Sequence, residues 1–320
     1  MPTAIVFGAN GFVGKHVLIE LVAHGYEVTG FVRSEEAAEG VRDLGARIIV
    51  GDLSDRASIP AMIEGQDAVV LAAQLMFEDE YDVCRIILDE LQGTDRAFIF
   101  TSGTSVMSIP TDGHWDERNY AEDEPFTPRR QIAPRLINEQ LVRDAAKDGI
   151  RAIVLRPSLI WGNGGCKIIE DFYYSAKATG AVCHIGPGLN VYSNVHVEDL
   201  AVLYRLAIEK GVPGALYFSV TGEVSYGVMA RAIADELGVP TRSITVDEAC
   251  ELWDPMWGKV VLPSCSRQRS PRAREELGWT PREDRLDILD DCRNPAYRAA
   301  KGRATPAWVR KPPASMAGQQ

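Results

Sequence analysis

The sequence lacks the features that mark membrane-spanning, metal-binding and nucleic-acid-binding proteins. No apolar run among its 320 residues approaches the roughly 20 residues of a membrane-spanning helix. Its six cysteines form no C-x-x-C pair, and its five histidines show no metal-ligand spacing. A net charge of -11 provides no basic face for a nucleic acid. These absences predict no bound metal, no nucleic-acid partner and no membrane partner.

The amino terminus has no secretory pattern either. The chain passes from Met1 almost directly into an apolar run at 4–7, with no basic segment and no long apolar segment before it. Scattered cysteines without a pairing pattern are typical of free thiols in a reducing compartment. We therefore expect a cytoplasmic protein, and the sequence leaves open whether it forms a homodimer.

Short apolar runs alternate with helical stretches along most of the chain. With 46% hydrophobic residues the chain can bury a large core. Strands separated by helices predict an α/β fold with a doubly wound parallel sheet. The expected strands are 4–7, 26–32, 47–50, 68–73, 97–100 and 150–155. We also expect helices at 15–24, 80–92 and 131–147, the last with Pro134 in its first turn, and a long loop at 108–128.

Three glycines follow the first apolar run at a spacing of three. Gly8 permits a tight exit from the strand, Gly11 removes a side chain where a backbone must approach a pyrophosphate, and Gly14 lets the next helix pack closely. The start of that helix adds free N–H groups and the positive end of its dipole. Strand, glycine turn and helix together predict a dinucleotide site. Its expected residues are Gly8, Asn10, Gly11, Phe12, Val13 and Gly14.

The end of the second strand predicts which dinucleotide binds. NAD-binding proteins place a carboxylate there to bind the ribose 2′-hydroxyl. Val32 occupies that place here, and Arg33 and Ser34 follow. A guanidinium pairs with a 2′-phosphate and a neighbouring hydroxyl can donate to it, whereas a carboxylate would repel it. We therefore predict NADP(H) as the cofactor.

The glycine spacing, in the phrase GANGFVG, resembles that of the extended and atypical short-chain dehydrogenase/reductases. Three later segments resemble motifs of the same family in the same order. They are an Arg-Pro segment at 156–162, a Val-His-Val-acid-Asp signature at 194–201 and a Leu-Gly-Trp-x-Pro turn at 276–281. The resemblance covers about residues 3–290.

This resemblance implies a Rossmann-type core and a smaller C-terminal substrate lobe. The expected core is 1–162, to which 191–221 return; the expected lobe is 163–190 and 222–299, and 300–320 are expected to form a loosely ordered tail. The resemblance also implies further cofactor contacts at the ends of later strands. These are Asp52, Leu53, Ala72, Ala73, Gln74, Arg135, Pro157, Ser158 and Leu159.

The sequence departs from the family at its catalytic motif. The family uses Tyr-x-x-x-Lys: the Tyr exchanges a proton with the substrate oxygen, and the Lys lowers the Tyr pKa and holds the nicotinamide ribose. After three more residues the family has Glu, and placing it on Glu139 puts Arg135 at the Lys position and Gln131 at the Tyr position. No Tyr lies between Tyr120 and Tyr173, so no other alignment restores the motif.

The hydroxyl that the family places after its fifth strand is also displaced. Gly103 stands where the family has Ser or Thr, and Thr104 and Ser105 follow it. A literal Tyr-x-x-x-Lys at 173–177 falls in the expected substrate lobe, and we interpret it as coincidence. The candidate catalytic residues are therefore Thr104, Ser105, Gln131 and Arg135. Of these, Gln131 can offer only a neutral hydrogen bond, whereas Arg135 keeps its charge.

These residues favour an NADPH-dependent reductase that works without the usual tyrosine, its proton coming from water, Thr104, Ser105 or the substrate. Two other functions stay open. One is a dinucleotide-binding regulator without catalysis. The other is a non-redox isomerase, lyase or cyclase, whose acid–base candidates are Tyr120, Tyr173, His184 and Asp116.

Aromatic residues of the expected lobe favour a small apolar or aromatic substrate. Each of them is individually better interpreted as lobe core than as pocket lining. A sugar nucleotide would need cations for its diphosphate, for which Arg231, Arg242 and Arg267 are candidates. The lobe aromatics are Phe172, Tyr173, Tyr174, Tyr192, Trp253 and Trp257.

Overall fold

The centre of the protein is a sheet of seven parallel strands. The computed structural model describes residues 1–285 and 287–299. Its strands are β1 Thr3–Phe7, β2 Glu27–Val32, β3 Arg47–Val50, β4 Ala68–Leu71, β5 Ala97–Thr101, β6 Ile109–Pro110, β7 Arg151–Pro157, β8 Leu159–Trp161, β9 Val182–Ile185, β10 Val191–His196, β11 Leu216–Ser219, β12 Gly222–Ser225, β13 Thr241–Ile244 and β14 Ser264–Cys265. The order in the main sheet is β11-β7-β5-β4-β1-β2-β3, and each neighbouring pair is parallel.

Helices connect these strands. They are α1 Phe12–Ala23, α2 Glu35–Glu39, α3 Ile59–Ile63, α4 Phe77–Leu91, α5 Pro134–Asp144, α6 Lys167–Thr179, α7 Val197–Lys210, α8 Tyr226–Leu237, α9 Val246–Leu252, α10 Pro271–Leu277 and α11 Ile288–Asp291. Among the described residues, no helix is both long enough and apolar enough to cross a membrane.

Helices cover the main sheet on both faces. On one face, Leu21 of α1 and Leu203 of α7 are buried in the same cluster as strand residues. On the other face, Ile87 of α4 and Val142 of α5 join a second cluster. Because both faces are covered, inner strands such as β4 are apolar at every position. The structure confirms the predicted α/β fold with a doubly wound parallel sheet.

A third cluster of buried side chains lies beyond the main sheet. Its helical members include Ile169 of α6 and Met229 and Ile233 of α8. Small strand pairings accompany it: β9 with β13, and β10 with β8 and β12. Of these elements, α6, α8, β9, β12 and β13 lie in the segments expected to form the substrate lobe, whereas β8 and β10 lie in the segments expected to form the core. The domain boundaries stay a prediction, and the expected tail at 300–320 lies outside the described residues.

The helix predicted from residue 131 begins three residues later than expected. Residues 131–133 form turns, and α5 starts with Pro134. Proline lacks an N–H and its ring clashes with the carbonyl four residues earlier, so it can stand only at the start of a helix. Gln131 therefore lies outside the helix that carries Arg135, and the two do not share a helix face as a Tyr-x-x-x-Lys pair does.

Other differences are smaller. The fourth strand ends at Leu71, not at residue 73, so Ala72 and Ala73 belong to the connection to α4. The predicted loop at 108–128 contains the two-residue strand β6, which pairs with β14. This pairing attaches the loop to a segment more than a hundred residues away, which no local pattern could show.

Candidate functional site

The glycine turn lies between β1 and α1, at the point where the strand order reverses. β1 is paired with β2 on one side and β4 on the other, which is where open α/β sheets bind ligands. Gly8 has a φ of +86°, and a Cβ added to it would lie 2.8 Å from the Ala73 Cα atom. A Cβ on Gly14 would lie 2.2 Å from the Gly8 carbonyl oxygen. The fold itself therefore requires glycine at both positions.

Gly11 is different, because the fold constrains it less than it constrains Gly8 and Gly14. Its φ of -70° suits any residue, and an added Cβ would approach only the Gly8 carbonyl oxygen, at 3.1 Å. Gly11 and its neighbour Asn10 are exposed. The space above Gly11 is thus open, which fits the close approach of a pyrophosphate.

The start of α1 is left free for an anion. Gly11 is the N-cap, so no side chain caps the helix, and its first turn contains no acidic residue. The first N–H groups and the positive end of the dipole are therefore not compensated by the protein's own carboxylates. The ring of Phe12, in that first turn, lies against Gly165, since a Cβ added to Gly165 would be 2.2 Å from the ring. Val13 is half-buried against the sheet cluster.

The residues predicted to select the cofactor follow β2, and two further predicted contacts follow β3. Arg33 is exposed and makes no hydrogen bond or ion pair with any described residue. Ser34 caps α2, its hydroxyl accepting from the Ala37 N–H at 3.1 Å, and its own proton remains free to donate. Asp52 accepts from the Ser54 N–H at 2.8 Å. This bond, together with the nearby charge of Arg33, lowers the pKa of Asp52. Leu53 is buried.

A buried ion pair fixes α5 against the sheet. Arg156 donates from Nε to the Glu139 carboxylate at 2.9 Å and from Nη2 to its other oxygen. The Ser102 hydroxyl donates to the same carboxylate. Arg156 and Glu139 are 5% and 3% exposed. The contact joins the helix after the fifth strand to the Arg-Pro segment, and it supports placing the family's Glu on Glu139.

Arg135 lies one helical turn before Glu139 and is already engaged. Its Nη2 donates to Glu80 of α4 at 3.0 Å, and its guanidinium lies over the Phe77 ring with the Cζ atom 5.4 Å from the centroid. Gln131 is exposed and makes no hydrogen bond with a described residue. Arg135 is therefore held by its neighbours, whereas Gln131 is not.

The remaining candidates lie at the ends of β4, β5 and β7. Ala72 donates its N–H to the Phe7 carbonyl at 3.0 Å, which seats the connection against β1; Ala73 is half-buried and Gln74 is exposed. Thr104 is buried and Ser105 is exposed, both in a short 3-10 turn.

The Arg-Pro segment lies next to that turn. A Cβ added to Gly103, the residue before the turn, would be 4.0 Å from the Pro157 carbonyl oxygen. Ser158 donates its hydroxyl proton to the Ser219 carbonyl at 2.6 Å and has none left for a ligand. Leu159 begins β8 and is half-buried. Apart from Arg135, which lies in the first turn of α5, the predicted contacts lie at or just after the carboxyl ends of strands of the main sheet.

The residues proposed for acid–base work in a non-redox enzyme do not converge. Tyr173 is 5% exposed, and its hydroxyl donates to the Cys292 carbonyl at 2.9 Å. Asp116 pairs with Arg118 at 2.7 Å. His184 lies on β9, and burial lowers its pKa. Tyr120 interacts with the same Arg118 that pairs with Asp116, and among the described residues no hydrogen bond joins this group to Tyr173 or His184.

Most of the aromatic and basic residues considered for substrate binding pack inside the expected lobe or form ion pairs. Phe172, Tyr173 and Tyr192 are buried in the third cluster, with Trp253 and Trp257 packed against it, and Tyr174 is half-buried. Of the cations considered for a diphosphate, Arg242 pairs with Glu248 at 2.7 Å and Arg267 with Glu223 at 2.9 Å. Among the described residues, no group of three or more His, Cys, Asp or Glu residues could hold a metal ion.

The chain belongs to the NAD dependent epimerase/dehydratase family, whose family model matches residues 4–218. It is 31% identical over 302 residues to the uncharacterized protein YLL056C of Saccharomyces cerevisiae, covering 90% of this chain and 97% of that protein. It is 29% identical over 325 residues to the 4-hydroxy-2-methyl-3-oxo-4-farnesyl-3,4-dihydroquinoline-1-oxide ketoreductase of Stigmatella aurantiaca, covering 90% and 95%. These matches confirm the predicted family and support an oxidoreductase on this fold.

Solved structures of the family have the same architecture. The dTDP-glucose 4,6-dehydratase of Bacillus anthracis, determined in complex with NAD, matches with a TM-score of 0.73 at 15% identity, covering 92% of this chain and 96% of that one. At this identity the likeness shows the fold alone. It agrees with the seven-stranded parallel sheet described above.

Sequence reasoning missed the partner of Arg135. Glu80 and Arg135 are 55 residues apart, and Glu80 lies in an acidic stretch, Glu78 to Glu80, that looks like an ordinary solvated helix start. The sequence contained one indication that Glu80 is buried. Its helical spacing places it on the same face of α4 as the apolar residues Val83, Cys84 and Ile87.

Proposed function

We propose that this protein is an NADP(H)-dependent reductase that transfers hydride to a small apolar or aromatic metabolite, with an active site that lacks the family's tyrosine. The observation that carries the cofactor choice is Arg33. Its side chain is exposed and makes no hydrogen bond with a described residue, and it directly follows Val32, which ends β2 in the place where NAD-binding proteins have a carboxylate. A planar guanidinium with unused donors suits a 2′-phosphate.

The chain's residues would divide the work as follows. The uncapped start of α1 binds the phosphates beside Gly11, and Arg33 and the Ser34 hydroxyl bind the 2′-phosphate. Arg135 donates hydrogen bonds to the ribose at the nicotinamide end. Bound NADPH would supply the hydride. Thr104 and Ser105 hydrogen-bond the substrate, and Gln131 adds a neutral donor.

Neither Gln131 nor Arg135 releases a proton near neutral pH. A substrate that needs little acid assistance therefore fits this site: an activated C=C bond, an imine or a quinone-like compound. Two of the three cations considered for a diphosphate, Arg242 and Arg267, pair with carboxylates, which supports an uncharged substrate over a sugar nucleotide. The third, Arg231, is exposed and makes no ion pair with a described residue. The name of the Stigmatella aurantiaca relative, a ketoreductase of a farnesyl-bearing quinoline oxide, supports an apolar one.

Paired fluorescence titrations with NADPH and NADH test the cofactor choice. The wild type should bind NADPH more tightly. Arg33→Ala should weaken NADPH by about 1–3 kcal/mol, as for a lost charge-assisted hydrogen bond, and leave NADH unchanged. Arg47→Ala, at an exposed arginine near the other end of the same strand pair, is the control and should change neither. An equal loss of NADPH and NADH in Arg33→Ala would rule out the phosphate contact.

Oxidation of NADPH, followed by absorbance, separates the reductase from the other functions. A panel of apolar quinones, enones and imines should include acceptors that consume NADPH in a strictly enzyme-dependent way. Tight binding of NADPH with no oxidation by any acceptor would instead indicate a regulator, or an enzyme that keeps the dinucleotide for non-redox chemistry.

A further inference from the structure

A buried carboxylate holds the arginine that stands at the family's lysine position. Glu80, in the first turn of α4, is 1% exposed. Its Oε2 accepts from Arg135 Nη2 at 3.0 Å, and its Oε1 accepts from Asn138 Nδ2 at 2.8 Å. Asn138 also donates to the Phe77 carbonyl at 3.0 Å, and the Phe77 ring lies against the guanidinium. Contacts from two helices thus fix one edge of Arg135.

Stability alone does not account for this arrangement. Burial raises the pKa of Glu80, while Arg135 and the Asn138 hydrogen bond lower it and nearby Glu139 raises it further. Taking a carboxylate and a guanidinium out of water costs about as much as their attraction returns, and apolar side chains of the same size would serve a core equally well. The ion pair instead holds the planar guanidinium of Arg135 in one orientation.

The pair lies at the end of the connection that touches the glycine turn. Residues 72–76 run from β4 to α4, with Ala73 against Gly8 at one end. At the other end the Glu80 N–H donates to the Met76 carbonyl at 2.7 Å. The Arg135 side chain stays 20% exposed. Its Nε and Nη1 make no hydrogen bond to any residue that the structure describes.

We propose that Glu80 is a positioning residue: it holds one edge of the Arg135 guanidinium so that Nε and Nη1 face the ribose at the nicotinamide end of the bound dinucleotide. This inference rests on the proposed function. A guanidinium can be held at one edge and donate from the other because its donors lie in one rigid plane, whereas a lysine ammonium rotates on a flexible stem. Held by a carboxylate, Arg135 acts through directed hydrogen bonds and not through a net charge.

A double-mutant cycle read out as dinucleotide dissociation constants tests the role. Glu80→Ala should weaken NADPH binding by about tenfold, the effect of one misdirected hydrogen bond to a charged group. The same substitution made in Arg135→Ala should weaken binding no further. Glu80→Gln keeps one acceptor, so it should weaken binding by only about threefold and should also be silent in Arg135→Ala. If Glu80→Ala does not fold, Glu80→Gln completes the cycle.

Melting temperatures of the same variants separate positioning from packing. A melting temperature lowered by Glu80→Ala with an unchanged dissociation constant would overturn the inference, as would an equal loss of affinity with and without Arg135. If the wild type binds NADH and not NADPH, only the cofactor choice fails, and the cycle is run with NADH. If it binds neither, the proposed function and the positioning role both fail.

Discussion

Gln131 and Arg135, which we align with the family's Tyr and Lys, have different surroundings in the structure. Gln131 is exposed in a turn ahead of α5, whereas Arg135 is held between Glu80 and the Phe77 ring. A side chain that is already fixed loses little rotamer freedom when it binds a ligand. Arg135 therefore has the stronger claim to a role in binding.

Substitution of the two residues should show this difference. Arg135→Ala should weaken NADPH binding and lower turnover, and should also lower the melting temperature because it leaves the Glu80 carboxylate buried without its cation. Gln131→Ala removes at most a neutral hydrogen bond of about 0.5–1.5 kcal/mol, so the rate should fall about tenfold or less. The pH–rate profile should lack the limb that an ionising tyrosine gives.

Tyr173→Phe is the control for this prediction. The Tyr173 hydroxyl is bonded to the Cys292 carbonyl inside the lobe, so its loss should lower the melting temperature slightly and leave turnover unchanged. Should Tyr173→Phe abolish activity while Gln131→Ala and Arg135→Ala do not, the proton donor belongs to the lobe and the site is misassigned.

At the scale of elements, the three glycines of the first turn are present for different reasons. Gly8 is required by its positive φ and by Ala73, and Gly14 by the Gly8 carbonyl oxygen 2.2 Å from an added Cβ. Gly11 has a negative φ, and an added Cβ would lie 3.1 Å from the same oxygen, so the fold constrains it less. We therefore expect two of the glycines to serve the fold and Gly11 to leave room for a ligand.

Valine substitutions should separate these roles. Gly11→Val should fold, with a melting temperature lowered modestly because valine is a poor N-cap and its Cβ would lie 3.1 Å from the Gly8 carbonyl oxygen. It should lose dinucleotide binding, because its side chain occupies the place of the pyrophosphate. Gly14→Val should fail to fold stably. Gly40→Val, at an exposed helix end where the nearest contact of an added Cβ is 3.8 Å, is the control and should keep both properties. Binding retained in Gly11→Val would show that the dinucleotide lies elsewhere.

The elements also show what sequence could and could not provide. The runs at 4–7 and 97–100 were recognisable as strands because strands buried on both faces are apolar throughout. The start of α5 was misplaced because Pro134 was expected within the first turn of a helix from residue 131, whereas it is the first helical residue. The Glu80–Arg135 ion pair could not be predicted from the sequence. Sequence patterns indicate which face of a helix a residue occupies, but they do not indicate which distant residue contacts it.

On the scale of the whole molecule, the parallel sheet gathers residues from most of the chain at one edge. The order β3-β2-β1-β4-β5-β7 places Arg33, Gly11, Ala73 and Thr104 in succession along the carboxyl ends of the strands. That succession follows from the fold class, so the general location of a dinucleotide site could be predicted from sequence. The substrate end could not, because it depends on how the lobe packs against loops with no repeating pattern.

The central claim is that an intact dinucleotide site is combined with a catalytic position that has no tyrosine. A crystal structure of the protein with NADP+ bound tests it most directly. The account predicts Arg33 on the 2′-phosphate, the pyrophosphate above Gly11 and Arg135 on the nicotinamide ribose, with Gln131, Thr104 and Ser105 nearest the nicotinamide ring. A tyrosine hydroxyl beside the reactive carbon of that ring, or a dinucleotide bound away from the glycine turn, would contradict it.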